Sequence, residues 1–334
     1  MICPPRNFVA VTRRIVPEPP RSHVAPTCSL CALSTTRVSI LSVVFAGVLF
    51  GTAGTAQALG PVGTTPLGVG ALRLIVGALA LLAVMPLLGH RPTRVLALWR
   101  SPAIVSAALG AAVYQVCFFA AVSQVGVAVG TLVTVGSTPI FAGMLGWVVL
   151  GHRPTPVWLV ATAVCILGLV LRSSGDFTGG DAMGLLLALG AGVASATYTV
   201  AAKHQLDRGV TTIEVPAASF TLGGLLLVPL LLEQPLDWVA QPAGVALVLY
   251  LGLVTMAVAN FVLGHGIGGL TPGPVTTLLL TDPLVATLLG VAVLGETLTP
   301  IAAVGLLIVL AGLVMQGGAL AHDRTDTPEA VPVL

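Results

Sequence analysis

STPIFAGMLGWVVLGHRPTPVWLVATAVCILGLVL, residues 137–171, returns as TDPLVATLLGVAVLGETLTPIAAVGLLIVLAGLVM at residues 281–315. Laid over each other without a gap, the two stretches share Pro139/Pro283, Ala142/Ala286, Gly146/Gly290, Gly151/Gly295, Thr155/Thr299, Pro156/Pro300 and Gly168/Gly312, every pair 144 residues apart. Aliphatic runs match by chance, but prolines and glycines at one constant offset do not. The stretch therefore reads as a duplicated helical hairpin, and the question becomes how far the duplication extends.

Composition sets the medium. Hydrophobic residues make up 56% of the 334 and charged residues only 8%, with a mean hydropathy of +1.04. A soluble domain has too little interior to hide that much apolar surface, so the chain reads as a polytopic, all-α membrane protein. A bilayer core takes about 20 apolar residues per helix. On that ruler ten spans follow, at about 38–58, 66–88, 102–122, 129–150, 156–172, 182–202, 213–232, 243–263, 273–294 and 300–317. Residues 1–36 hold six prolines and four arginines and no run that could cross a bilayer. They read as a disordered cytoplasmic tail or an over-long start, and 318–334 as a second cytoplasmic tail. The five cysteines form no disulfide framework, and CSLC at 28–31 with His23 offers too few ligands for a metal site. No metal or cofactor is expected.

Orientation follows from the basic residues. With the N-terminus inside, the cytoplasmic segments hold Arg37, Arg91, Arg94, Arg100, Arg153, Lys203, Arg208 and Arg324 besides the four tail arginines, and the external ones hold Arg172. This is a strong positive-inside bias and places both termini in the cytoplasm of a cell membrane. An offset of 144 residues corresponds to five spans. Five is odd, so the second half crosses in the opposite sense: 37–172 and 181–317 read as inverted repeats.

Phe50-Gly51 in span one, Arg73 within PLGVGALRLIVGALAL, and the proline span ending Leu-Gly-His at 152 and Leu-Gly-Glu in DPLVATLLGVAVLGETLT together resemble the EamA-type family of the drug/metabolite transporter superfamily over about 38–317. The resemblance implies a ten-helix bundle with a central cavity and alternating access, moving amino acids, nucleosides, amines or related metabolites. Phe50 and His152 stand where that family often has Trp and Glu.

Asp282 lies about nine residues, roughly 13 to 14 Å, inside span nine, near the middle of a core about 30 Å thick. Thr138 has a similar depth in span four, entered from the other side. Pro139 and Pro283 each remove a backbone donor, freeing the carbonyls of Val135 and Leu279. Two midplane irregularities related by a repeat point to a transporter binding site. In the bland alternative both helices kink and Asp282 caps a half-helix. Yet a charge at that depth costs about 2.5 to 3.5 kcal/mol and usually faces a cavity or a partner. Asp282 is accordingly the leading functional residue, as a proton-coupling carboxylate or as the partner of a substrate amine.

Arg73, the basic residue deepest in a span, either snorkels outward, points into the bundle or pairs with Asp282. Gln57 and Thr55, Tyr114 and Gln115, Tyr198 and Thr199, and Asn260 either bind substrate or bond a neighbouring helix. The glycines at 47, 51, 290, 305 and 312 suit close helix packing.

The reading is a secondary transporter, exporting a small metabolite such as an amino acid or related amine, with spans one, three, six and eight lining its cavity. A zwitterion would place its ammonium on Asp282 and its carboxylate on a half-helix N-terminus near Thr138, provided span four opens there. Its partners are the small solute, the bilayer and protons as coupling ion; a homodimer is compatible, and no nucleic-acid partner is expected. No enzyme signature is present, and without a nucleotide-binding domain concentrative transport would use an ion gradient or exchange. Two other classes fit the composition. One is an intramembrane transferase for lipid-linked substrates built on His152, His204, His265 and Glu296. The other is a non-transporting sensor or assembly subunit.

Overall fold

The computed structural model describes residues 29–172 and 182–322. Most of the N-terminal tail, with Cys28 and His23, and the last residues of the C-terminal tail lie outside them. Among the described residues there is no strand. Ten apolar helices dominate: α1 (Thr36–Ala58), α2 (Pro66–Leu88), α3 (Pro102–Gly126), α4 (Val129–Leu150), α5 (Pro156–Arg172), α6 (Ala182–Leu206), α7 (Glu214–Leu232), α8 (Pro242–Gly269), α9 (Pro272–Leu294) and α10 (Pro300–His322). Nine are long and apolar enough to cross a membrane, and α5, at 17 residues, is the short one. The helix of α1 begins at Ser29, inside the expected tail. Six of the ten open on proline, where the missing N–H costs no intrahelical bond.

Loops are short, and one is nearly absent. A continuous helix from α3 to α4 would run about 74 Å, more than twice a bilayer core. Gly126 breaks it at φ +80° and ψ 163°, a backbone geometry that favours glycine. The chain folds back so tightly that a side chain added at Gly130 would meet Val122 at 3.1 Å.

The duplication is visible in the contacts. Gly151 and Gly295 end α4 and α9 in the left-handed region (φ +72° and +70°). The next residues, His152 and Glu296, return their N–H groups to the carbonyls of Gly146 and Gly290, at 3.2 and 3.1 Å. The repeat-related α5 and α10 pack on small residues, Gly168 against Gly305 and Ala161 against Gly312; each contact is the other's image under the 144-residue offset. The Cys165 thiol, facing the Val309 carbonyl at 3.7 Å, meets its own repeat partner. Replacing Gly151 or Gly295 by alanine forces Cβ into a left-handed conformation and is expected to cost about 1 to 2 kcal/mol each. Thermal unfolding in detergent reads this directly, and a cost at one position but not the other would deny the two caps equal standing.

Small side chains fill the interior, among them Ala46, Ala71, Ala107 and Ala188, all fully buried, while Leu41, Phe45, Val148, Leu186 and Leu307 point outward. In lipid the outward face carries no penalty, and helices associate by close backbone approach.

The proline sites differ. α9 is broken: its helix stops at Leu278 and restarts at Thr281. The Leu279 carbonyl that Pro283 frees is taken by the N–H of Asp282 at 2.9 Å. α4, by contrast, runs helical through Pro139. The opening at Thr138 on which the carboxylate site depended does not occur; Thr138 and Ser137 both donate to the Thr134 carbonyl, at 2.8 and 3.1 Å, although Thr281 makes the same bond to Leu278 in the broken helix.

Candidate functional site

The bundle encloses a cavity of about 470 Å³. Its walls come from α1, α2, α3, α4, α6, α7, α8 and α9 with Arg172 at the end of α5, so the expected lining from spans one, three, six and eight is extended by both proline helices, by the helix carrying Arg73 and by Phe220 of α7. Gln57, Arg73, Tyr114 and Gln115 face it from the first half, as does Thr138; Tyr198, Asn260 and Asp282 face it from the second half. Pro283 lines it and Pro139 does not; Thr199 does and Thr55 does not. Gln57, Pro66, Val122, Thr131 and Arg172 stand at helix ends on one face of the bundle, so the cavity opens toward the end opposite the Arg91–Arg100 loop.

Arg73 points into the bundle. Its Nη2 donates to Oε1 of Gln115 at 3.2 Å, and its guanidinium carbon lies 5.8 Å from the centroid of the Phe119 ring. Gly70, one turn earlier, makes room for that ring: a Cβ there would come within 2.2 Å of it. The Nε of Arg73 is buried and has no hydrogen-bond partner.

Asp282 sits in the first turn of the second α9 segment, where no side-chain cap is made by the residue before it. Its carboxylate has no hydrogen bond or ion pair among the described residues, unlike Glu214, which pairs with His90 and Arg94, and Asp207, which pairs with Lys203. The Arg73–Asp282 pair entertained from sequence is not formed as a direct contact; both groups line the cavity and act on each other electrostatically. Behind Asp282, α1 approaches through its glycines. A Cβ at Gly47 would lie 3.1 Å from Thr281 Cβ, and one at Gly51 2.7 Å from both the Asp282 carbonyl and Val285 Cβ. Ser137, the repeat image of Thr281, packs against Gly192 of α6 in the same way.

Three of the expected ligands are already engaged. Gln115 holds Arg73, Thr138 bonds back to its own helix, and the Asn260 amide donates to the Met256 carbonyl at 2.9 Å. The Asn260 bond follows a π-helical stretch, Leu251–Val258, which widens the turn. Gln57 and the hydroxyls of Tyr114 and Tyr198 have no such bonds among the described residues; Tyr114 stacks on Phe118 and Tyr198 on Phe220. Phe50, singled out in span one, lines the cavity, whereas the lining by Phe118, Phe119 and Phe220 escaped the sequence reading, since in an all-apolar helix nothing separates a cavity-facing phenylalanine from a lipid-facing one.

The other end of the bundle is sealed. Trp158 donates to Thr277 at 3.0 Å, and Thr162 joins them at 2.9 Å. Lys203 caps the Gly268 carbonyl at 2.9 Å, and Trp99 donates to the Ala218 carbonyl at 3.0 Å. Glu214, fully buried, accepts from His90 at 3.2 Å, from Arg94 at 3.3 Å and from the Thr211 N–H at 3.2 Å. His152, His204, His265 and Glu296 do not gather: among the described residues no three His, Cys, Asp or Glu are placed to hold a metal ion.

The EamA-like transporter family matches this chain twice, at residues 37–174 and 182–317, and the chain belongs to that family. It is 37% identical over 286 residues to the uncharacterized transporter YwfM of Bacillus subtilis, across 85% of this chain and 95% of that protein. It is 30% identical over 251 residues to a protein of Streptantibioticus cattleyicolor named a probable terminal-alkyne amino-acid exporter, across 74% of this chain and 82% of the other. A solved crystal structure superposes with a TM-score of 0.69 at 20% identity, over 83% of this chain and 96% of its own, which shows a shared fold.

Proposed function

We propose that this multi-pass membrane transporter of the EamA type exports amino acids or related amines by alternating access, with its basic loops and both termini on the cytoplasmic side. The observation that carries the reading is Asp282: a carboxylate without an ion-pair partner among the described residues, on a broken helix, facing a solute-sized cavity within an apolar bundle. A buried charge of that kind is costly unless a ligand or a proton meets it. Either the substrate ammonium or a coupling proton satisfies it. The relative named as an amino-acid exporter supports the substrate class and the direction.

In the state described, the cavity is sealed at the end carrying the Arg91–Arg100 loop. Export then requires that this seal opens to load solute and that the helix ends around Gln57 and Pro66 close. The test is uptake and efflux in proteoliposomes with a mixture of amino acids and amines, read by mass spectrometry with and without a pH gradient. Wild type is expected to concentrate a solute only with the gradient, and folded Asp282→Asn only to equilibrate it or to lose it. Equal accumulation by both proteins would remove Asp282 from coupling, and no movement of any solute would sink the reading.

A further inference from the structure

We infer that Arg73 is the carboxylate-reading group of the cavity, so that the transported solute is recognised at two points and a bare amine is discriminated against. This rests on the transporter reading above and replaces the site near Thr138, which the unbroken α4 does not provide. Four observations converge on it. Arg73 is turned into the cavity although its stem is long enough to snorkel. Gln115, itself 2% exposed, takes only one of its donors. The Phe119 ring supports the guanidinium from one side, and Gly70 is what lets that ring stand there. Finally, Nε is buried without a partner, an unfilled donor in a place where water is scarce. A buried donor left unmatched is costly, and a guanidinium presents donors in a planar fork that fits a carboxylate. A guanidinium held on Gln115 and Phe119 is pre-organised for such a ligand. Arg73 and Asp282 act on each other electrostatically but form no direct ion pair, so the donors of the guanidinium are not taken up by that carboxylate. The cavity therefore presents one cation on α2 and one anion on α9 within a wall that carries aromatic rings, a complement to a zwitterion with an apolar body.

The test is binding to the purified full-length protein in nanodiscs, using L-phenylalanine, phenethylamine and 3-phenylpropionate as probes that share one body and differ in their charged groups. Wild type is expected to bind the amino acid at least about 10-fold more tightly than the amine. Arg73→Gln should weaken the amino acid by about 10- to 100-fold and the amine by less than about 3-fold, and Arg73→Lys should recover part of the loss. Retained amine binding would itself show that the variant is folded. Equal wild-type affinity for amino acid and amine would overturn the carboxylate site while leaving the amine reading of Asp282 intact. Parallel loss of both ligands in Arg73→Gln would make Arg73 a structural residue and overturn the inference. Binding of none of the three by folded wild type would overturn both readings.

Discussion

Truncating His90 and Arg94 together to alanine is expected to destabilise the protein by about 3 kcal/mol, the low end for stripping the partners from a buried charge. Glu214 has no exposed side-chain surface, whereas His90 is 25% and Arg94 53% exposed. The ion cluster is therefore asymmetric. If Glu214 is replaced by glutamine, His90 and Arg94 turn to water and the amide keeps the shape, so the loss should be about 1 to 2 kcal/mol. If His90 and Arg94 go, the carboxylate stays behind with the Thr211 N–H as its remaining partner. Denaturation of the three proteins in one detergent decides it. A glutamine variant weaker than the double alanine variant would mean that Glu214 acts through something other than its buried charge. The cluster ties the loop after α2 to the start of α7, at the sealed end. The double variant should accordingly also leak solute in the direction that the wild type blocks.

Gly51→Ala is the second large effect. The added methyl has nowhere to go: the Asp282 carbonyl and Val285 Cβ are both 2.7 Å away, and both belong to the stiff second segment of α9. Overpacking of this kind costs about 1 to 3 kcal/mol, and here the strain falls on the turn that aims Asp282. Transport should drop by about 5- to 150-fold even where the protein still purifies as a folded monodisperse species. Gly136→Ala on α4 is the matched control, because a Cβ there meets nothing within 4 Å. Equal transport by the two variants would show that α9 yields freely at Thr281–Asp282 and that the Gly47 and Gly51 contacts set no geometry.

Much of the fold could be read from the chain because lipid imposes simple rules. Ten apolar runs, closed by Gly151 and Gly295 and opened by prolines such as Pro66 and Pro156, mark their own boundaries, and the 144-residue offset fixes the pairing of the halves. The candidate ligands were legible for the same reason: Asp282, Arg73, Tyr114 and Gln57 are polar groups at depths where a polar group needs a purpose. What they do there was less legible. Glu214 passed unnoticed, since a carboxylate at a helix start looks like an interface residue until His90 and Arg94 are seen to close over it.

Sequence alone determined the medium, the helix count, the 144-residue repeat and most of the polar residues that line the cavity, because each follows from local composition and spacing. Tertiary structure alone decided that α4 stays whole while α9 breaks at the image of the same proline. It also decided that Arg73 and Asp282 form no direct ion pair, and that aromatic rings line the cavity they share. Those outcomes depend on which neighbour can satisfy a freed carbonyl or press a ring into place. Gln115, Gly70 and Gly51 place Arg73, the Phe119 ring and the Asp282 turn here, across separations that no local pattern encodes.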